Sequence, residues 1–279
     1  MSSTSFDICP NTTVGGDSSP LIICGPCAIE SRESTLRHAE KIVEVARSNS
    51  LPIVFKSSYD KANRTKHDSF RGVGIEEGLS ILQEVKNTFS VPVITDVHSV
   101  EEVAAVGEVA DILQVPAFLC RQTDILVAAG NSNKTVMIKK GQFLAPEDMK
   151  YALEKVSSSG NQKVMLCERG SCFGYRDLVV DFRGICQMKE TGAPVIYDAT
   201  HSVQVMGGAG GSSSGNRKFL LPLLRAACAV GIDGVFLECH ENPESAPSDG
   251  ANMLPLDSLE AVLKDIKILS GLALETRNG

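Results

Sequence analysis

Short runs of Val, Ile and Leu recur along the chain, separated by longer stretches with helical period. The runs are residues 21–24, 53–55, 93–95, 112–115, 135–138, 164–167, 195–197 and 234–237. Each is almost wholly apolar rather than alternating, the pattern of a parallel strand covered on both faces. Helices are predicted between and after them, including 33–48, 74–88, 146–157, 218–230 and 256–269, several with Glu and Lys paired on the outer side. Eight such units predict an α/β fold, a single (β/α)8 TIM barrel over residues 21–279. Residues 1–20, rich in Ser, Thr, Asp and Gly, are expected to form a flexible N-terminal tail. A doubly wound open sheet fits the same alternation. The barrel is preferred because of where the polar residues fall.

Nearly every apolar run hands over to a charged or metal-competent residue at its C-terminal end. These are Cys27, Lys56, Asp96, Gln114, Lys139, Arg169, Asp198 with His201, and Glu238. In a closed barrel those ends converge on one face, where active sites of this fold lie. Lys56, Lys139 and Arg169, with Lys61 and Arg64 nearby, would repel one another unless an anion joined them, which implies a phosphate- or carboxylate-bearing ligand. Cys27, His201, Glu238 and Asp249 offer thiolate, imidazole and carboxylate donors suited to one divalent transition metal ion, such as zinc, iron or manganese. Their spacing alone does not reveal such a site.

Composition narrows the picture. A chain of 279 residues with 43% hydrophobic side chains can bury one large core, and a formal charge of −7 argues against a nucleic-acid partner. Nine cysteines scattered over a chain whose start lacks the basic and apolar segments of a secretion signal predict reduced thiols and a cytoplasmic protein. Uninterrupted apolar runs are too short for a membrane helix. Cys24-x-x-Cys27 reads as a strand residue followed by one that leaves the strand, and Cys120, Cys167, Cys186 and Cys228 as packing residues. His98 and His240, beside strand ends, are read either as supporting hydrogen-bond partners or as purely structural. The Gly- and Ser-rich segment 206–217 lacks the Gly-Lys-Ser/Thr ending of a nucleotide loop and is read as a mobile lid or a disordered surface loop.

Several segments carry a resemblance. They include Gly25-Pro-Cys-Ala-Ile-Glu-Ser31, Phe55-Lys-Ser-Ser-Tyr-Asp-Lys-Ala-Asn-Arg64, Pro116-Ala-Phe-Leu-Cys-Arg-Gln-Thr-Asp124 and Lys139-Lys-Gly-Gln-Phe143. Glu168-Arg-Gly170, Phe173-Gly-Tyr175, Asp198-Ala-Thr-His-Ser-Val-Gln204 and Ser248-Asp-Gly250 extend it over nearly everything after residue 20. On these segments the chain resembles the 3-deoxy-D-manno-octulosonate 8-phosphate synthases.

The resemblance implies condensation of phosphoenolpyruvate with D-arabinose 5-phosphate, release of phosphate, a place in Kdo and lipopolysaccharide biosynthesis, and a homotetramer. It implies that Lys56, Lys61, Gln114, Lys139, Arg169 and His201 meet phosphoenolpyruvate and that Ser58 also binds substrate. Asn63, Arg64 and Thr65 would receive the pentose phosphate, with Arg121 reaching in from a neighbouring subunit. Thr65 stands where a Ser is expected and keeps the hydroxyl. Lys61, Lys139, His201 and Asp249 would be catalytic, Lys61 as the group polarising the aldehyde. Cys27 in the Gly-Pro-x turn matches the metal-dependent kind of these enzymes, whose metal-independent relatives carry Asn. Whether the metal positions the aldehyde or lowers the pKa of a water stays open. So do two rivals, a 3-deoxy-7-phosphoheptulonate synthase using erythrose 4-phosphate and a non-catalytic sugar-phosphate-binding barrel.

Overall fold

A computed structural model of the chain describes residues 3–175, 178–209 and 212–278. All eight predicted runs are strands: β1 (Leu21–Gly25), β2 (Ile53–Lys56), β3 (Val93–Asp96), β4 (Ile112–Val115), β5 (Thr135–Lys139), β6 (Val164–Glu168), β7 (Val195–Asp198) and β8 (Gly234–His240). Each pairs in parallel with the next, and β8 pairs with β1, so the sheet closes into a barrel. The open-sheet alternative is thereby excluded. Helices α1 (Arg32–Ser48), α2 (Ile75–Phe89), α3 (Val100–Val109), α4 (Thr123–Asn131), α5 (Met149–Ser157), α6 (Arg183–Lys189), α7 (Leu220–Val230) and α8 (Leu259–Asn278) follow the strands in turn.

Three predicted helices begin as 3-10 turns, at Pro146–Asp148, Arg217–Phe219 and Leu256–Ser258, before continuing as α-helix. Three more, α3, α4 and α6, are too short to show a clear amphipathic period in the sequence. No helix among the described residues is long and apolar enough to cross a membrane.

Strand periodicity explains how the interior is divided. Val54, Ile94, Ile112, Met137, Ile196 and Phe236 belong to one buried cluster inside the barrel. Two residues further along each strand, and therefore on the same inward face, stand Lys56, Asp96, Gln114, Lys139, Asp198 and Glu238. The barrel is thus filled with hydrocarbon below and with polar groups at its C-terminal mouth. On seven of the strands the structure extends the apolar run by one residue or more. The first added residue is Gly25, Lys56, Asp96, Lys139, Glu168, Asp198 or Glu238, because the hydrogen-bonded ladder continues where apolar composition stops.

The N-terminal segment departs from the expected loose tail. Phe6–Cys9 and Thr12–Val14 form an antiparallel hairpin, Val14 is fully buried in the interior cluster, and Phe6 and Ile8 pack against it. The hydroxyl of Ser3 donates to Asp233 at 2.7 Å, and the Thr4 amide donates to the Gly192 carbonyl at 2.8 Å. The hairpin caps the N-terminal end of the barrel. Its polar composition hid it, since closing that end takes only a few apolar side chains. The Gly- and Ser-rich segment also forms a hairpin, Gln204–Ala209 with Ser212–Gly215. Residues 210 and 211 of the suggested lid lie outside the described residues.

Val14→Ala should therefore destabilise the protein by about 2 kcal/mol, through lost burial and the cavity left behind. Chemical denaturation of the variant beside the parent checks this; an unchanged midpoint would mean the hairpin does not seal the barrel.

Candidate active site

The mouth of the barrel is built around β1, β2 and β8. The Lys56 ammonium, 1% exposed, donates to Glu238 Oε1 at 2.9 Å and to the Cys27 carbonyl at 3.0 Å. Gly25 ends β1 so close to β2 that a Cβ there would stand 1.8 Å from the Lys56 carbonyl oxygen. Only glycine fits, and the chain then turns through Pro26 to bring Cys27 over the strand end. Burial opposes the charge on Glu238, but Lys56, His201 and Lys61 outweigh it and hold the carboxyl below its ordinary range.

A second buried pair joins β5 to β7. Lys139 Nζ lies 2.5 Å from Asp198 Oδ2 and 3.5 Å above the centre of the Phe236 ring. Asp198 Oδ1 accepts the backbone amides of Thr200 and His201 at 3.1 and 2.9 Å. Its Oδ2 faces His201 Nδ1 at 2.8 Å. A carboxylate can only accept, so Nδ1 carries a proton, and in the neutral ring Nε2 presents a lone pair. Burial works against the Asp198 charge, yet His201 and Lys139 keep the carboxyl far below the usual range.

His201 Nε2 points toward Glu238 Oε2 at 3.9 Å. With both atoms acting as acceptors, a cation between them would satisfy both. Glu238 Oε2 is buried and without a hydrogen-bond partner, and ligand atoms of Cys27, Glu238 and Asp249 lie within 4.8 Å of one another. Asp249 adopts a left-handed backbone, φ 53°, and its Oδ2 accepts from the Cys27 thiol at 3.2 Å and the Ser248 hydroxyl at 3.0 Å. Burial, reinforced by Glu238, pushes the Cys27 thiol well up, so without a metal it donates to Asp249. The donor set, the orphaned oxygen and the histidine fixed through its other nitrogen all fit a divalent transition metal.

The opposite side of the mouth suits an anion. Arg169 Nη2 donates to Gln204 Oε1 at 3.0 Å, while its Nη1 is buried with no partner, and burial lowers the guanidinium's pKa. Lys61 donates to Ser58 Oγ at 3.0 Å; burial disfavours its charge, but the carboxylates of Glu238, Asp96 and Asp249 favour it, and its pKa is raised. Ser58 and the Gln114 amide both donate to Asp96. Arg64 donates to Ser248 Oγ at 2.6 Å and to the Pro247 carbonyl at 3.1 Å. Lys56, Lys61, Asn63, Arg64, Thr65, Gln114, Lys139, Arg169, His201, Glu238 and Asp249 line one cleft of 360 Å³.

Of the expected site residues, Arg121 stands apart. It is exposed and borders a second depression with Cys120, Tyr151 and Lys155 rather than its own chain's cleft. The expected mutual repulsion of cations needs correction, because Lys56 and Lys139 each have a buried carboxylate partner. Unmet donor capacity is concentrated instead on Arg169. Asp96, Asp198, Gln204 and Ser248 join the site although only the first two stood out at strand ends. Their signal was the inward parity of β3 and β7. Gln204 and Ser248 carried no such signal, since each lies in a connection whose path the strand pattern does not fix; only the segments that carry the resemblance contain them.

Residues 3–273 match the profile of the DAHP synthetase I family. The chain is 52% identical to the 2-dehydro-3-deoxyphosphooctonate aldolase of Trichlorobacter lovleyi over 259 residues, covering 93% of this chain and 95% of that protein. It is 54% identical to the aldolase of the same name from Desulfatibacillum aliphaticivorans over 261 residues, 94% and 96% of the two chains. The Geobacter sulfurreducens aldolase is 52% identical over 259 residues, again 93% and 95%. With near-complete coverage on both sides and a closed barrel bearing the motif residues at one mouth, the chain belongs to the DAHP synthetase I family, among the 2-dehydro-3-deoxyphosphooctonate aldolases.

Proposed function

We infer that the chain condenses phosphoenolpyruvate with D-arabinose 5-phosphate and water, giving 3-deoxy-D-manno-octulosonate 8-phosphate and inorganic phosphate in Kdo biosynthesis. The relatives' shared name supports the reaction. The observation that carries it here is the buried, partnerless Nη1 of Arg169, a residue that lines a cleft also holding Lys61, Lys139 and Arg64. Arg169 and Lys139 would hold the phosphate of phosphoenolpyruvate, and Lys56, Lys61, Ser58, Gln114 and His201 its carboxylate and enol end. Asn63, Arg64 and Thr65 would take the pentose phosphate. Fixing both substrates turns orientation into rate as the enol carbon joins the aldehyde carbon and water adds to carbon 2, after which phosphate leaves. Lys61, kept protonated by the surrounding acids, would polarise the aldehyde. Cys27, His201, Glu238 and Asp249 would hold one divalent metal ion, which supplies Lewis acidity at the sugar's aldehyde end or to a water. The exposed position of Arg121 supports its use by a neighbouring subunit of a cytoplasmic homotetramer.

Phosphate release should require both substrates, with arabinose 5-phosphate strongly preferred to erythrose 4-phosphate. Arg169→Ala should lower kcat/KM for phosphoenolpyruvate by about 100-fold or more, the scale of removing a donor aimed at developing charge, with little change in melting temperature. A folded variant of unchanged efficiency would sink the assignment.

Chelation should abolish turnover and added Mn²⁺ restore it, while Cys27→Asn and His201→Ala should each lower bound metal measured by elemental analysis. Full activity in verified metal-free protein would refute the dependence.

Mixing inactive Arg121→Ala subunits with inactive Lys61→Ala subunits, then re-forming oligomers, should recover part of the activity, because some sites then draw both residues from intact copies. No recovery in verified hetero-oligomers would count against a shared site.

A further inference from the structure

Gln204 joins the two halves of the site. Its Oε1 accepts from Arg169 Nη2 at 3.0 Å and its Nε2 donates to Asp249 Oδ1 at 3.0 Å. The orientation of the amide follows from chemistry alone, since a guanidinium only donates and a carboxylate only accepts. A carboxylate at this position would keep the first contact and repel the second group; a hydrocarbon would lose both. Gln204 is also the first residue of the hairpin Gln204–Ala209 with Ser212–Gly215, paired across it to Gly215. Its backbone follows the 3-10 turn His201–Val203, which carries the histidine facing Glu238. The side chain therefore bridges the guanidinium with spare donor capacity and a carboxylate of the cation-competent cluster. Its backbone is continuous with that cluster's fourth member.

We propose that Gln204 is a positioning residue that couples anion binding at Arg169 to cation binding at Asp249. The proposal rests on the reading of the cleft as a phosphoenolpyruvate and metal site. An anion drawing Arg169 Nη1 into the cleft leaves Nη2 on Gln204, which fixes the amide and through it the rotation of the Asp249 carboxylate. That rotation decides whether Oδ2 faces Cys27 and the cation position. The reverse influence is obligatory, because coupling between two binding events is reciprocal.

Calorimetric titration tests this. Phosphoenolpyruvate is titrated into the chelator-treated protein with and without saturating Mn²⁺, and Mn²⁺ is titrated with and without phosphoenolpyruvate, for the parent, Gln204→Leu and Gln204→Glu. In the parent each ligand should tighten the other by the same factor, about fivefold or more. In Gln204→Leu both factors should fall at least threefold below the parent's, the remainder being direct attraction between the ions. Gln204→Glu should weaken phosphoenolpyruvate in both metal states, since a carboxylate on Arg169 competes with the substrate, and should lower the coupling factor as well, since it repels Asp249 instead of holding it. Thermal melting of all three proteins confirms folding. A factor of one in the parent, or a factor within twofold of the parent's in folded Gln204→Leu, overturns the proposal. If the parent binds no phosphoenolpyruvate at all, the reading of the cleft fails, and the coupling proposal, which rests on it, falls too.

Discussion

Lys56 and Glu238, almost wholly removed from water and 2.9 Å apart, set the terms for the rest of the barrel mouth. Neither charge could be buried alone, and removing one partner of such a pair costs about 3–5 kcal/mol. The pair spans from β2 to β8 past the end of β1, the strand lying between them. It can form only because Gly25 lets β1 approach the Lys56 carbonyl and then depart. The same departure delivers the Cys27 carbonyl to Lys56 and its thiol to Asp249. One ion pair thus ties together three strands, the turn after β1 and the loop that carries Asp249.

The pairing also sorts the mouth into two chemical halves. Glu238 gives Oε1 to Lys56 and keeps Oε2 free for the cluster of Cys27, Asp249 and His201. Asp198 does the equivalent on the other side, holding Lys139 with the same oxygen that orients the His201 ring. Phe236 lies beneath both, with Lys139 directly over its ring and Lys56 and His201 at 5.3 and 5.9 Å. Its face attracts the cations without competing for their hydrogen bonds. Acids partner Lys56 and Lys139, so the buried donor of the mouth left wholly without a partner belongs to the Arg169 guanidinium.

Most of the barrel was legible because its strands are buried on both faces and stand out as continuous apolar runs. The inward-facing charges were legible for a related reason: each follows an inward hydrophobe by two residues, as Lys56 follows Val54 and Glu238 follows Phe236. Apolar composition, however, ends a strand one residue or more before the ladder does. The residues left outside it, Lys56, Asp96, Lys139 and Asp198, are those whose inward direction matters most. The N-terminal hairpin was illegible because Phe6, Ile8 and Val14 are diluted by polar neighbours. Gln204 was illegible because its position depends on a 3-10 turn and two partners, Arg169 and Asp249, that are remote in sequence. His201 was found as a ligand candidate, but only the structure shows that Asp198 fixes which nitrogen it offers.

The sealed lower half of the barrel bears on the chemistry above it. Hydrocarbon from Leu21, Val54, Ile94, Met137 and Phe236, closed off below by Val14, keeps water from reaching the polar layer from beneath. Charges in such surroundings interact more strongly than they would in water. Dipoles and charges fixed before substrate arrives need no reorganisation when new charge develops. The ion pairs at Lys56 and Lys139 supply that fixity, since each lysine is held by a buried carboxylate and Asp198 is itself anchored to two backbone amides. A residue far from the cleft, such as Val14, therefore belongs to the same design as Arg169. It maintains the low-dielectric floor on which the arginine's unmet binding capacity gains its strength.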